Sequence, residues 1–430
     1  MKKAISMAVI LGLILCLFAG CNGMMGNDPE EETGKVYYLN FKPEADADWQ
    51  ALAAKYTDKT GVEVKVVTAA SGDYEKTLGV EIEKANAPTM FQVNGPVGLS
   101  TWKDYALDIS DSDIRQELIS EDFALKEGDI VYGIAFVYEA YGLITNKKLL
   151  KEAGYELEDI KDFASLKAAA EDIHSRADEL GFDAFTSSGL DGSSSWRFSG
   201  HLTNLPLYYE FTKDNVTEQP ATIKGTYLDN FKAVWDMYIQ NSATDPKTLT
   251  SKTGDDAVAE FKEGKAVFYQ NGTWEFANAS AIGEENIGYL PIYFGVDDAA
   301  QGLCAGTENY WVVNSQVSEA DQKATLDFMK WLATDEEATK ALASGNMGFT
   351  CPFKSAQKPE NGLYDILNDM LEEGKTTSVK WMFPYTPNTD AWRAEVVSAL
   401  SAYSAGTGDW ELVENAIVDG WATQYNASHQ

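Results

Sequence analysis

Three histidines, His174, His201 and His429, are the whole imidazole complement of the chain, and they stand far apart in sequence. A hydrolase triad needs a histidine base, and a zinc site needs clustered ligands of the Cys-x-x-Cys or His-Glu-x-x-His kind. Neither cluster occurs. A Gly-x-x-x-x-Gly-Lys-Ser/Thr loop, a Gly-x-Gly-x-x-Gly turn after the first strand and a Gly-x-Ser-x-Gly elbow are also missing. Carboxylate pairs for glycoside hydrolysis are available among 67 acidic residues, but only their separation in space would make two of them catalytic. What the chain has in surplus is aromatic surface, 11 Trp and 21 Tyr. Such side chains cover apolar ring faces while keeping a polar edge. These residues offer no metal cluster and no cofactor loop, so no metal and no cofactor is expected, while a carboxylate-based hydrolase stays open beside a binding role.

The charge balance narrows the ligand. Lysine and arginine total 34 against 67 acidic residues, a formal net charge of −33. Nucleic acid is excluded as a partner, because phosphate arrays are bound through cationic side chains. Only four arginines occur, Arg115, Arg176, Arg197 and Arg393. Since guanidinium forks are the usual grip on carboxylate or phosphate, a strongly anionic ligand is disfavoured. A length of 430 residues suggests two or three domains and ample core.

The N-terminus carries an address. Lys2 and Lys3 precede an apolar stretch from Ala4 to Gly20, the pattern of a secretory signal and too short for a membrane span. It closes on Leu17-Phe18-Ala19-Gly20-Cys21, which resembles a bacterial lipobox, with Phe18 where Leu is usual. That implies a signal peptide over 1–20, lipidation of Cys21, a flexible tether over 21–33 and anchoring to the outer side of the bacterial cell membrane. Cys304 and Cys351 are then the cysteines left in the folded part. They are read as either a disulfide or a free pair, since sequence does not give their separation.

The elements that must hold any site begin as alternating strands and helices. Lys35–Phe41, Val62–Val66 and Thr89–Val93 read as strands, and Asp46–Lys59 and Tyr74–Ala85 as helices. Gly61 is a helix stop. This β-α-β-α-β order predicts an α/β fold with mostly parallel sheets flanked by helices. Ligands on such sheets sit beyond the carboxyl ends of the strands, which singles out Asn40-Phe41-Lys42 and Asn94-Gly95-Pro96 as ligand loops or plain turns. Ile130 to Asn146 reads as one apolar strand-like segment. Helical periodicity returns at Lys323–Ala343, Ala391–Tyr403 and Leu412–Ala422.

Three stretches resemble the extracellular solute-binding proteins of carbohydrate ABC importers, the maltose-binding type. They are Tyr132 to Leu150, Phe261 to Glu275 with its Asn271-Gly-Thr-Trp274, and Trp311-Val-Val-Asn314 followed by Leu326 to Leu332. The resemblance implies a two-lobed periplasmic-binding fold with several hinge crossovers. Residues 34–137 plus 286–323 would form the N-terminal lobe, and 138–285 plus 324–430 the C-terminal lobe. It implies a monomer that is not an enzyme, captures a neutral oligosaccharide and delivers it to an ABC transporter permease. By position, Trp274 and Trp392 match sugar-stacking sites, although Trp392 shares a helical face with Val396, Leu400 and Tyr403 and could be core. Glu139 matches a cleft carboxylate or else a hinge-surface charge, Trp196 an aromatic of the second lobe, and Asn40, Lys42 and Asn94 polar ligands. The chain departs from the family pattern at Thr89 and at Asn94-Gly95-Pro96. A polyamine or peptide on the same scaffold and a surface glycoside hydrolase are the alternatives.

Lipid anchoring has a direct check. Diacylation supplies the two chains that stable attachment requires, so Cys21→Ser should move the protein from the membrane fraction to the soluble fraction with its ligand affinity unchanged. A Ser variant that stays with the membrane would remove the anchor.

Overall fold

Val36–Asn40 (β1) is buried at all its positions, as a strand covered on both faces must be. In the computed structural model, which describes residues 33–430 apart from Asn346, Lys375 and Gln430, it pairs in parallel with β2 (Val64–Thr68) and β3 (Met90–Asn94). The signal segment, Cys21 and nearly all of the tether lie outside the described residues. Between these strands run α1 (Asp46–Thr60), α2 (Tyr74–Glu81) and, after β3, α3 (Gly95–Trp102). Trp49, Leu52, Ala53 and Tyr56 form the buried stripe of α1, which ends at Gly61 in the left-handed conformation (φ 77°). The helical spacing read from the sequence is the spacing that the core uses.

The first sheet is completed by β4 (Ala124–Glu127), β5 (Ile130–Ala135) and β11 (Asn309–Val313), in the order β2-β1-β3-β11-β5-β4. A second sheet contains β6 (Glu139–Asn146), β7 (Asp183–Phe185), β8 (Ala266–Gly272), β10 (Gln301–Gly306) and β12 (Thr377–Lys380), ordered β12-β10-β6-β8-β7, with β9 (Ile287–Leu290) also on β6. The expected parallel pairing holds for β1 with β2 and β3, but both sheets are mixed: β11 runs antiparallel to β3 and β5, β4 to β5, and β6 to β8, β9 and β10, because the strands beside the crossings enter in the opposite direction. The apolar run Ile130–Asn146 is therefore two strands in two sheets, divided at Phe136-Val137-Tyr138. The chain crosses between lobes there, again at Thr307-Glu308, and a third time between the helices Glu336–Ala343 and Gly362–Glu373. Tyr138 N–H donates to the Thr350 carbonyl at 2.8 Å, so two of these crossings run side by side.

The lobe boundaries differ from the sequence expectation at both ends of the second half. Residues 287–306 were expected in the first lobe, yet β9 and β10 pair with β6 of the second sheet. The helices Glu319–Thr334 and Glu336–Ala343 were expected mostly in the second, yet Phe328, Met329, Leu332 and Leu342 pack with Trp49 and Trp311 in the first core. Pairing partners and not local patterns decide which lobe receives a segment. Cys304 and Cys351 are both free. Cys304 is in the second-lobe core and Cys351 packs against the first, so the disulfide reading falls.

Trp392 is fully buried, not a cleft platform. Its indole N–H donates to the Ile417 carbonyl at 3.1 Å, and its ring meets Trp421 edge-on at 5.9 Å. It joins the helices Thr389–Ser404 and Trp410–Ser428. Trp392→Ala should cost about 3–5 kcal/mol of folding stability. Denaturant unfolding checks this, and a midpoint equal to that of the parent would refute the core assignment.

Candidate functional site

The carboxyl ends of β1 and β3 face the second lobe across a cavity of about 440 Å³, a size suited to a small-molecule ligand. Each wall is placed by local backbone chemistry. After β1, Asn40 folds its amide onto the turn, accepting from the Lys42 N–H at 3.0 Å and donating to the Lys42 carbonyl at 2.8 Å. Asn40 thus shapes the loop, while Lys42 enters the cavity. The Lys42 ammonium donates to both carboxylate oxygens of Glu139, at 2.8 and 3.0 Å. Burial by itself would lower the lysine pKa, but the Glu139 and then Glu44 carboxylates more than reverse this and raise it. Removing one partner of such a buried pair strands the other charge.

The aromatic wall belongs to the second lobe. Trp274 follows β8, and a Cβ on Gly272 would lie 2.2 Å from its ring. Only glycine lets the indole fold back over the strand end. Trp196 lies 6.0 Å from Trp274 between ring centroids and is held by its N–H to the Ser193 carbonyl at 2.9 Å. Directly after Trp196 the chain forms a turn of π-helix, Arg197–Leu202, a geometry often found at functional sites. It turns both Arg197 and His201 into the cavity. His201 stacks on Tyr141 at 4.1 Å. Burial, reinforced by Arg393, Arg197 and Lys42, holds its pKa well below the usual histidine value, so the ring is neutral.

Carboxyl groups complete the lining. Glu44, Glu75, Glu275 and Glu308 all have raised pKa values, in each case chiefly because burial disfavours the charged form. Glu308, in the second crossing, is pushed up to about 7. The two lobes also touch outside the ion pair. Ser71 Oγ donates to the Ser193 carbonyl at 3.1 Å, and a Cβ on Gly72 (φ +80°) would come within 2.5 Å of the Gly192 carbonyl oxygen.

Of the residues singled out from the sequence, Lys42, Asn94, Glu139, Trp196 and Trp274 line the cavity together. Asn40 supports it from behind, and Trp392 is remote from it in the core. Missed were Arg197, Arg393, His201, Glu275 and Glu308. Two of these had a visible signal, because Arg197 and Arg393 each follow a tryptophan that had been singled out. Among the described residues no group of three or more His, Cys, Asp or Glu could hold a metal, and no helix is long and apolar enough to cross a membrane.

The family model of the bacterial extracellular solute-binding proteins matches residues 51–365. The chain belongs to that family. Membership of the extracellular solute-binding proteins places its work outside the cytoplasm. Solved structures similar to this solute-binding protein include a chitin oligosaccharide binding protein at 14% identity and TM-score 0.69, covering 92% of this chain and 99% of the other. A raffinose complex of the binding protein RafE gives 14% and 0.71, covering 93% and 100%. Maltose-bound MalE3 of T. maritima gives 15% and 0.67, covering 92% and 100%. At such identities the likeness establishes the two-lobed fold.

Glu308 makes stability depend on pH in a stated direction. Its pKa rises from the ordinary 4.5 to about 7 on folding, so the folded state binds the extra proton between those values and stability falls as pH rises through them. Glu308→Gln should therefore be more stable than the parent at pH 8, on the order of 1–3 kcal/mol, with the gap closing by pH 4. Urea unfolding at both pH values measures it, and a constant gap would exclude Glu308 as the titrating group.

Proposed function

We propose that this solute-binding protein captures an oligosaccharide between its lobes, neutral over most of its length, and delivers it to the permease of an ABC importer as a lipid-anchored monomer. The observation that carries the reading is the pairing of Trp196 and Trp274 on one wall with buried polar groups on the other, all in one cavity. A sugar ring has apolar C–H faces and a hydroxyl rim. Indole faces bury the former, and amides, carboxylates and Lys42 pair with the latter, since buried polar groups need partners. The ligands of the structural neighbours, chitin oligosaccharide, raffinose and maltose, are of this class. Lys42, Arg197 and Arg393 in the same lining weigh against a polyamine.

Binding without turnover is the expected behaviour, and lobe closure over the sugar is the change a permease can read. Trp274→Ala should weaken glycan binding roughly ten- to a hundredfold, with base stacking on aromatic side chains as the nearest calibrated case. The unfolding midpoint should move little, because the indole is only partly buried. Calorimetry against a glycan panel tests both parts. Undiminished affinity in the variant would remove the platform, and shortened sugars in the product mixture would replace a binding protein with a hydrolase.

A further inference from the structure

Two of the four arginines line the cavity. Arg115 and Arg176 lie on the surface in ion pairs with Glu121 and Asp172, whereas Arg197 and Arg393 form no ion pair among the described residues. Arg197 is only 1% exposed. One of its terminal nitrogens, Nη1, donates to the Gln270 carbonyl at 3.2 Å, while Nε and Nη2 have no protein partner. The Arg393 Nε and the His201 Nδ1 are unpartnered as well, and His201 is 4% exposed. The charges that act on His201 are those of Arg393, Arg197 and Lys42, and of these Lys42 is matched by Glu139. Arg197, Arg393 and His201 thus bring unpartnered nitrogens to a cavity also lined by carboxyl groups, Asp390 among them.

A buried guanidinium without a counter-charge is costly, and its planar fork fits a carboxylate through two parallel hydrogen bonds. Glu75, Glu275 and Glu308 share the cavity with these guanidinium groups, yet none of them forms an ion pair with either among the described residues. The surrounding carboxylates also tolerate a single negative charge far better than a doubly charged phosphate. We propose that Arg197, Arg393 and His201 form a subsite for the carboxylate of a uronic-acid residue within the bound saccharide. This rests on the saccharide reading and adds one acidic substituent to it. The scarcity of arginine in the sequence concealed the site because half of the supply is concentrated there.

The experiment titrates the purified protein calorimetrically with a panel of di- and trisaccharides in matched sets, whose members carry at one ring a hydroxymethyl, a C6 carboxylate or a free amine. In the set that binds, the uronate member should exceed its neutral counterpart by roughly tenfold or more, as expected for charge-assisted hydrogen bonds. Arg393→Gln should abolish that preference, so that within the variant the uronate member binds no tighter than its neutral counterpart. Arg197→Gln should do the same, and thermal unfolding reports whether it remains folded; should it not, Arg393→Gln carries the test. Neutral or amine members that bind as well as the uronate would overturn the subsite and leave the saccharide reading standing. No binding to any member would overturn both.

Discussion

A buried ammonium meets a buried carboxylate where the two lobes face each other, and the cavity is arranged around that contact. Lys42 leaves the first lobe on a turn that Asn40 fixes, and Glu139 opens the first strand of the second lobe. Two opposite charges taken out of water gain little net stability over an apolar pair, but separating them inside the protein is expensive. The contact is thus better suited to defining how the lobes meet than to strengthening the fold. The Ser71 contact with the Ser193 carbonyl and the close approach of Gly72 to Gly192 lie beside the same cavity. Bulk at Gly72 would hold the lobes apart, and a side chain there would also strain a left-handed backbone.

Around this pair the cavity divides its chemistry by lobe. The strand ends of the first lobe supply Lys42 and Asn94, while the second supplies Trp196, Trp274, Arg197, His201 and Arg393. The Trp196 and Trp274 indoles and both guanidinium groups therefore belong to one lobe and face the β1 and β3 loops of the other. The π-helical turn matters here because it carries Arg197 and His201 directly after Trp196, and the stacking of His201 on Tyr141 ties that turn to β6.

Much of this was legible in the sequence, and the reason is local. The stripe of α1, the stop at Gly61 and the alternation of the early strands are decided by neighbours within a few residues. Asn271-Gly-Thr-Trp274 was legible too, since Gly272 and Trp274 are two positions apart and their steric relation is set within that turn. Trp392 was ambiguous because a helix start offers two faces, and only the partner helix Trp410–Ser428 selects one of them. Arg393, one position further, faces the cavity that Trp392 was expected to line.

The sequence by itself determined the α/β class, the surplus of tryptophan, tyrosine and carboxylate side chains, the absence of the catalytic signatures and the loops at the ends of β1 and β3. Those follow from composition and from periodicities of two and 3.6 residues, which act over short range. Tertiary structure alone decided that β9 and β10 join the second sheet, that Cys304 and Cys351 lie in different lobes, and that Arg393 reaches the cavity lined by Arg197 and His201. Such outcomes depend on pairings between segments more than a hundred residues apart, whose energies come from shared burial and from a buried charge's need for a partner. No window along the chain contains both members of those pairs.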